Sequence, residues 1–174
     1  AATPVGVLDL RGHAAYVTAG TLTLGRENNS NTQYGGGATG RLSFDAGTFT
    51  VSNIVMAAKS AAGTGPATAT LTISGGAFTV LPGGAFTLAS QSGGGSASGA
   101  LTISGGALTC HADIRDGGGN ATSSVTLDGG TLDLTGRAVG AAAPRVDTLQ
   151  WRSGTLLNLG PLNGGEPLVK SGPG

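Results

Sequence analysis

Leu71–Val80 reads LTISGGAFTV, and thirty residues later Leu101–Cys110 reads LTISGGALTC. The near-duplicate belongs to a series of six. Aligned on one glycine, the copies are marked by Gly20, Gly47, Gly76, Gly106, Gly130 and Gly154, at spacings of 27, 29, 30, 24 and 24 residues. Apolar side chains recur in columns around that mark. Five positions before it stand Ala15, Leu42, Leu71, Leu101, Val125 and Leu149, and three before it Val17, Phe44, Ile73, Ile103, Leu127 and Trp151. Two after it come Leu22, Phe49, Phe78, Leu108, Leu132 and Leu156, and four after it Leu24, Val51, Val80, Cys110, Leu134 and Asn158. The residues between the columns are polar, as at Ser43, Thr72, Thr102, Thr126 and Gln150. Successive side chains of a strand point to opposite faces, so period-two alternation predicts a strand on each side of a glycine corner.

A third, less regular strand is expected at Ile54–Ala58, Phe86–Ser90 and Asp113–Arg115. Glycine- and serine-rich stretches such as KSAAGTGPAT, QSGGGSASG and DGGGN follow, and their turn composition accounts for the variable spacing. A repeat of 24–30 residues fits one turn of a stacked architecture whose units bury their apolar faces on one another. The expected fold is therefore all-β, a parallel β-solenoid (β-helix) of about six coils forming one segment over residues 1–174. At about 4.8 Å per coil the rod would be roughly 29 Å long. An antiparallel sandwich also alternates, but gives no reason to repeat one motif at a near-constant period.

Composition closes off other classes. Glycine makes up 34 of 174 residues. A disordered linker is disfavoured because 39% of residues are hydrophobic and only 10% charged. Collagen would need glycine at every third position. Nine basic residues balance nine acidic ones, which offers nothing to track a phosphate backbone, so no nucleic-acid partner is expected. No apolar run approaches the roughly 18 residues of a membrane helix, so no membrane insertion of this segment is expected. With one cysteine, Cys110, no internal disulfide forms.

The motif LTISGG, the LTLGR of Leu22–Arg26 and the stretch DTLQWRSGTLLNLGPLNGGEPLVKSGPG of Asp147–Gly174 together resemble the autotransporter-associated β-strand repeat proteins. In that family the pattern L-x-K-[ST]-G-x-G opens the signature repeat, and Leu168–Gly174 reads LVKSGPG. The resemblance implies a right-handed parallel β-helix in a long, secreted or surface-exposed bacterial protein of which these residues are a piece. It implies structural or adhesin material, with no catalytic residue to carry over, and an extracellular or bacterial cell-surface location.

Chemistry-bearing motifs are sparse. GGGATG at Gly35–Gly40 matches a dinucleotide fingerprint, but a strand follows it where a helix is required. His111, Asp113 and Asp116 are too few for a metal site and read as a polar loop edge. Asp45 and Asp128 share a column, yet Ser74 and Ser104 separate them, which leaves no paired carboxylates for a polysaccharide lyase or hydrolase. No catalytic, cofactor or metal residue is assigned, and no enzyme activity or cofactor is expected. Cys110 shares a column with Val51 and Val80 and reads as a small buried hydrophobe. Trp151 reads as core, and Asn158, standing in an aliphatic column, predicts distortion of the sixth copy. Asn28 (NNS) and Asn120 (NAT) fit the glycosylation sequon and fall in expected loops.

The expectation is thus an extracellular fibre, stalk or adhesin that self-associates by end-to-end stacking or continues in a longer chain. Contact with carbohydrate or a surface is also expected. Neither end shows a covering helix, and Pro161 and Pro167 give only partial blunting. The alternatives are a polysaccharide-binding or polysaccharide-cleaving β-helix, and an ice-binding solenoid. The last rests on threonines of Thr21–Thr23 stacked over Thr48–Thr50 and continued by Thr79 and Thr109.

Overall fold

The computed structural model describes residues 2–33 and 35–167. The segment Leu168–Gly174, with Lys170 and the LVKSGPG motif, lies outside the described residues. The described chain is all-β, without a helix, and its strands form a largely parallel sheet that does not close into a barrel. The strands in chain order are β1 (Val5–Asp9), β2 (Ala15–Leu24), β3 (Ala38–Phe44), β4 (Gly47–Met56), β5 (Ala58–Lys59), β6 (Ala67–Gln91), β7 (Ala97–Cys110), β8 (Ile114–Asp116), β9 (Ala121–Asp133) and β10 (Thr148–Leu157). The sandwich alternative is excluded by the pairing, because every ladder among the named strands is parallel.

The ladders join each repeat copy to the next. Leu42 pairs with Leu71, Leu71 with Leu101, Leu101 with Val125 and Val125 with Leu149. Phe44, Ile73, Ile103, Leu127 and Trp151 form a second continuous column, and Phe49, Phe78, Leu108, Leu132 and Leu156 a third. The copies thus lie side by side as rows, like residues on like, and the columns read from the sequence are the core. Leu42, Phe44, Leu71, Ile73, Leu101 and Ile103 have no exposed surface. Each such side chain contributes about 1.5–3 kcal/mol relative to an exposed position. Aromatic packing adds to this where three phenylalanines meet. Phe49 stacks on Phe78 at 4.6 Å between ring centroids, and Phe44 meets both edge-on at 6.1 Å.

The double-glycine corner has two physical causes. A Cβ on Gly75 would lie 2.0 Å from the carbonyl oxygen of Asp45 in the row beside it, so the first glycine is required by close approach. Gly76 has φ +68°, the left-handed region that side-chain-bearing residues rarely adopt, so the second is required by backbone conformation.

The first row departs from the column alignment. Ala15 pairs with Gly47, Val17 with Phe49 and Ala19 with Val51. Leu22 and Leu24 then fall opposite Ile54 and Met56, in the third strand rather than the second. Gly20 stands between those two stretches, without positive φ and with nothing near its missing Cβ. It is not a corner glycine. The first stretch of this row is β1, in which Leu8 meets Leu42. The threonine reading changes with it. Thr21 and Thr23 oppose Asn53 and Val55, and Thr48 opposes Tyr16, so the Thr21–Thr23 pair does not stack over Thr48–Thr50.

The sixth row shows the distortion that Asn158 predicts. The register of β10 on β9 is kept through the corner, Trp151 on Leu127 and Leu156 on Leu132, and the row departs at Asn158, whose φ is +48°. Its side chain turns outward and donates from Nδ2 to Asp133 Oδ1 at 2.8 Å.

Candidate functional site

Rows of one pattern offer chemistry only where the pattern breaks. Between Val51 and Asn53 a single residue links the second stretch of a row to the third, and Gly20 does the same between Ala19 and Thr21. In the next row Val80 and Ala85 occupy the same two positions, and Leu81-Pro82-Gly83-Gly84 bulges out between them. In the row after that His111, Ala112 and Asp113 lie between β7 and β8, where Ile114 pairs with Phe86 and Arg115 with Thr87.

The bulge walls a recess of about 340 Å³ whose other sides carry Thr87, His111, Asp113, Arg115 and Arg137. Arg115 donates from Nη2 to Asp113 Oδ2 at 2.5 Å, and the Ala138 N–H donates to Asp113 Oδ1 at 3.0 Å. These two bonds, with the nearby Arg137 charge, hold the Asp113 carboxyl below the usual carboxylate range. Asp113 therefore ties β8 to the following row and fixes both Arg115 and the backbone beside Arg137. His111 lies on the same side as Asp113, and the hydrogen bonds from Asn158 and from the Thr135 N–H hold the Asp133 carboxyl below the usual carboxylate range.

A second recess, of about 520 Å³, shares Asp113 and Arg115 and is walled by Ala141–Pro144 and Pro161. Asp116 borders it. This residue is 7% exposed, its Oδ1 accepts the Gly118 N–H at 2.6 Å, and its Oδ2 has no hydrogen-bond partner among the described residues. His111, Asp113 and Asp116 thus lie close in sequence and line these two recesses between them, yet no group of three or more metal-ligating side chains occurs among the described residues.

Cys110 is buried in the column of Val51 and Val80, and its Sγ lies 3.1 Å from the Ala112 carbonyl oxygen. Burial pushes the thiol up to about 11, which keeps it protonated and unreactive. Asp45 and Asp128 serve different partners. Asp45 accepts the Gly12 N–H at 2.8 Å, and Asp128 faces Arg152 at 3.6 Å. Asn28 and Asn120 are both exposed. Asn28 Oδ1 accepts from Ser60 Oγ at 2.7 Å, and the Asn120 N–H donates to Gln91 Oε1 at 2.8 Å.

Sequence reading missed a buried ion pair. Lys59 and Glu27 sit opposite one another in adjacent rows, their side chains 0% and 4% exposed, with Nζ against Oε2. Both also hold the loop that follows them. Glu27 Oε1 accepts the Asn29 N–H at 2.6 Å, and Lys59 Nζ donates to the Ala61 carbonyl at 2.9 Å. Gln91, beside Lys59 in the next row, repeats the device on the Gly93 carbonyl. The signal was present as a column of long polar side chains one repeat apart, in a chain with two lysines.

No family model, no curated protein and no solved structure matches this chain.

Proposed function

We propose that the chain is a right-handed parallel β-solenoid of about six coils, working as an extracellular fibre, stalk or adhesin segment of a bacterial surface protein. The resemblance to autotransporter-associated β-strand repeats supports this reading, and so does a core made of stacked like residues. The mechanism is mechanical. Backbone ladders run along the stack, alternating side chains fill it, and short uncharged side chains cover it. We propose no catalytic activity and no cofactor.

The observation that carries the reading is the state of the first row. Outward positions that hold Thr39, Arg41 and Thr48 in the second row hold Val5, Val7 and Tyr16 in the first, 59%, 62% and 79% exposed. Leu8, in the core column, is 45% exposed. An apolar edge with free N–H and C=O groups templates another strand. We propose that a further row of the same kind covers it, from the same chain or from a second copy stacked head to tail. Such heterologous contacts do not close and make filaments.

Extending the ladder register would put Gln150 of one copy beside Asp9 of the next. A variant carrying Gln150→Cys and Asp9→Cys should form disulfide-linked ladders on oxidation, and electron microscopy should show rods that lengthen with concentration. A β-rich chain that stays monomeric at high concentration, with amides of β1 protected from exchange, would overturn the stacking.

A further inference from the structure

We infer that the paired recesses beside the Leu81–Gly84 bulge bind an acidic saccharide through its carboxylate. In stacked-repeat proteins, insertions confined to single repeats gather on one face, and that face is commonly the binding one. Here the link is longest in the row of Leu81–Gly84 and still three residues long at Thr135–Arg137, and together these links shelter a concentration of cationic and hydrogen-bonding groups. His111, Arg115 and Arg137 face the first recess against one carboxylate, Asp113, which Arg115 and the Ala138 N–H already engage. The Arg137 guanidinium has no hydrogen bond or ion pair among the described residues. A guanidinium with unused donors suits bidentate recognition of a carboxylate.

The second recess explains why the ligand is a sugar rather than a simple anion. It continues from the first across Asp113 and Arg115, and its Ala141–Pro144 and Pro161 wall offers apolar surface to the C–H face of a pyranose. At its border Asp116 is buried and its Oδ2 has no donor among the described residues, which marks this side of the recess as able to accept from a ligand hydroxyl. Two recesses of about 340 and 520 Å³ that meet at one ion pair match two or more linked residues, the uronate in the first.

The test is calorimetric titration of the whole chain with oligogalacturonate, with heparin fragments and dextran oligomers as the sulfated and neutral counterparts. Oligogalacturonate should bind and weaken with added salt. Arg137→Ala and Arg115→Gln should each raise Kd about tenfold or more, while Arg41→Ala, on another face, should leave it unchanged. Arg137→Ala should keep the wild-type circular dichroism, because its guanidinium makes no hydrogen bond or ion pair among the described residues. Equal loss in Arg41→Ala would reduce the binding to general charge attraction and overturn the site. Binding of heparin but not oligogalacturonate would overturn the carboxylate assignment, and binding of dextran with equal affinity, or of no probe, would overturn the proposal outright. The outcome is separable from filament formation, since a monomeric chain that binds keeps the site and loses the stacking.

Discussion

Rows one and two follow the same alternation, yet they are buried very differently. Leu42 in the second row has no exposed surface, while its partner Leu8 in the first is 45% exposed. Phe49 is 2% exposed, and its partner Val17 only half-buried. The second row has a neighbour on both sides and the first, among the described residues, on one. An apolar pattern in a repeat is thus a demand that only a neighbour satisfies, and a row's stability lies largely in its interfaces.

Substitutions that test this contrast differ in size. The largest effect is expected for Ile73→Asp, which buries an unpaired charge between two rows and should cost at least about 4 kcal/mol, enough to unfold the middle of the chain. Leu8→Asp, at the half-exposed position, should cost within about 1 kcal/mol in the isolated chain and yet abolish the end-to-end association proposed above. Equal circular dichroism and protease resistance for both variants would break the contrast.

Next comes Lys59→Ala. Its ammonium neutralises Glu27, which belongs to the first row, so its loss strands a buried carboxylate and should cost about 3–5 kcal/mol. Hydrogen exchange should rise first in β1 and β2. The double variant Glu27→Gln, Lys59→Met removes both charges and should recover most of the loss.

The third test is internal to the core. Burial pushes the Cys110 thiol up to about 11 in the folded chain against about 9 when free, so the unfolded chain ionises first as pH rises. The fold should lose about 2–3 kcal/mol between about pH 9 and pH 11 on this account. Cys110→Val, which restores the residue of the neighbouring column positions, should flatten that limb at a cost below about 1.5 kcal/mol near neutrality. Urea midpoints at pH 8 and 10.5 decide it. The smallest effect is expected outside the core, where Thr72→Ala or Thr102→Ala should stay within about 0.5 kcal/mol in any row.

The columns of rows two to five were legible because one side chain per column is large and aliphatic and the corner glycines are obligatory. The first row was misread because Gly20-Thr21-Leu22-Thr23-Leu24 imitates Gly47-Thr48-Phe49-Thr50-Val51 in letters. Its true corner, Arg11-Gly12-His13-Ala14, has no double glycine, so the letters favoured the imitation. Only the ladder, with Ala15 on Gly47, places the stretch correctly. The recesses were half legible. His111, Asp113 and Asp116 stood out as a polar edge, but Arg137 enters from the next row, and the role of Leu81–Gly84 depends on knowing that its neighbours lack the insertion.

The corner glycines also act on the chain as a whole. Loops between strands differ in length from row to row, yet Leu101 still finds Leu71 on one side and Val125 on the other. Gly76 and Gly106 fit only where the adjoining row presents its own corner, since a Cβ on Gly106 would lie 2.4 Å from the Gly75 carbonyl carbon. Each corner therefore works as an index pin. From the second row onward it resets the reading frame at each corner, so a residue gained or lost in one loop should be absorbed before the next pin rather than propagate. A variant that gains or loses one whole row between two such pins should therefore fold with the remaining columns in register.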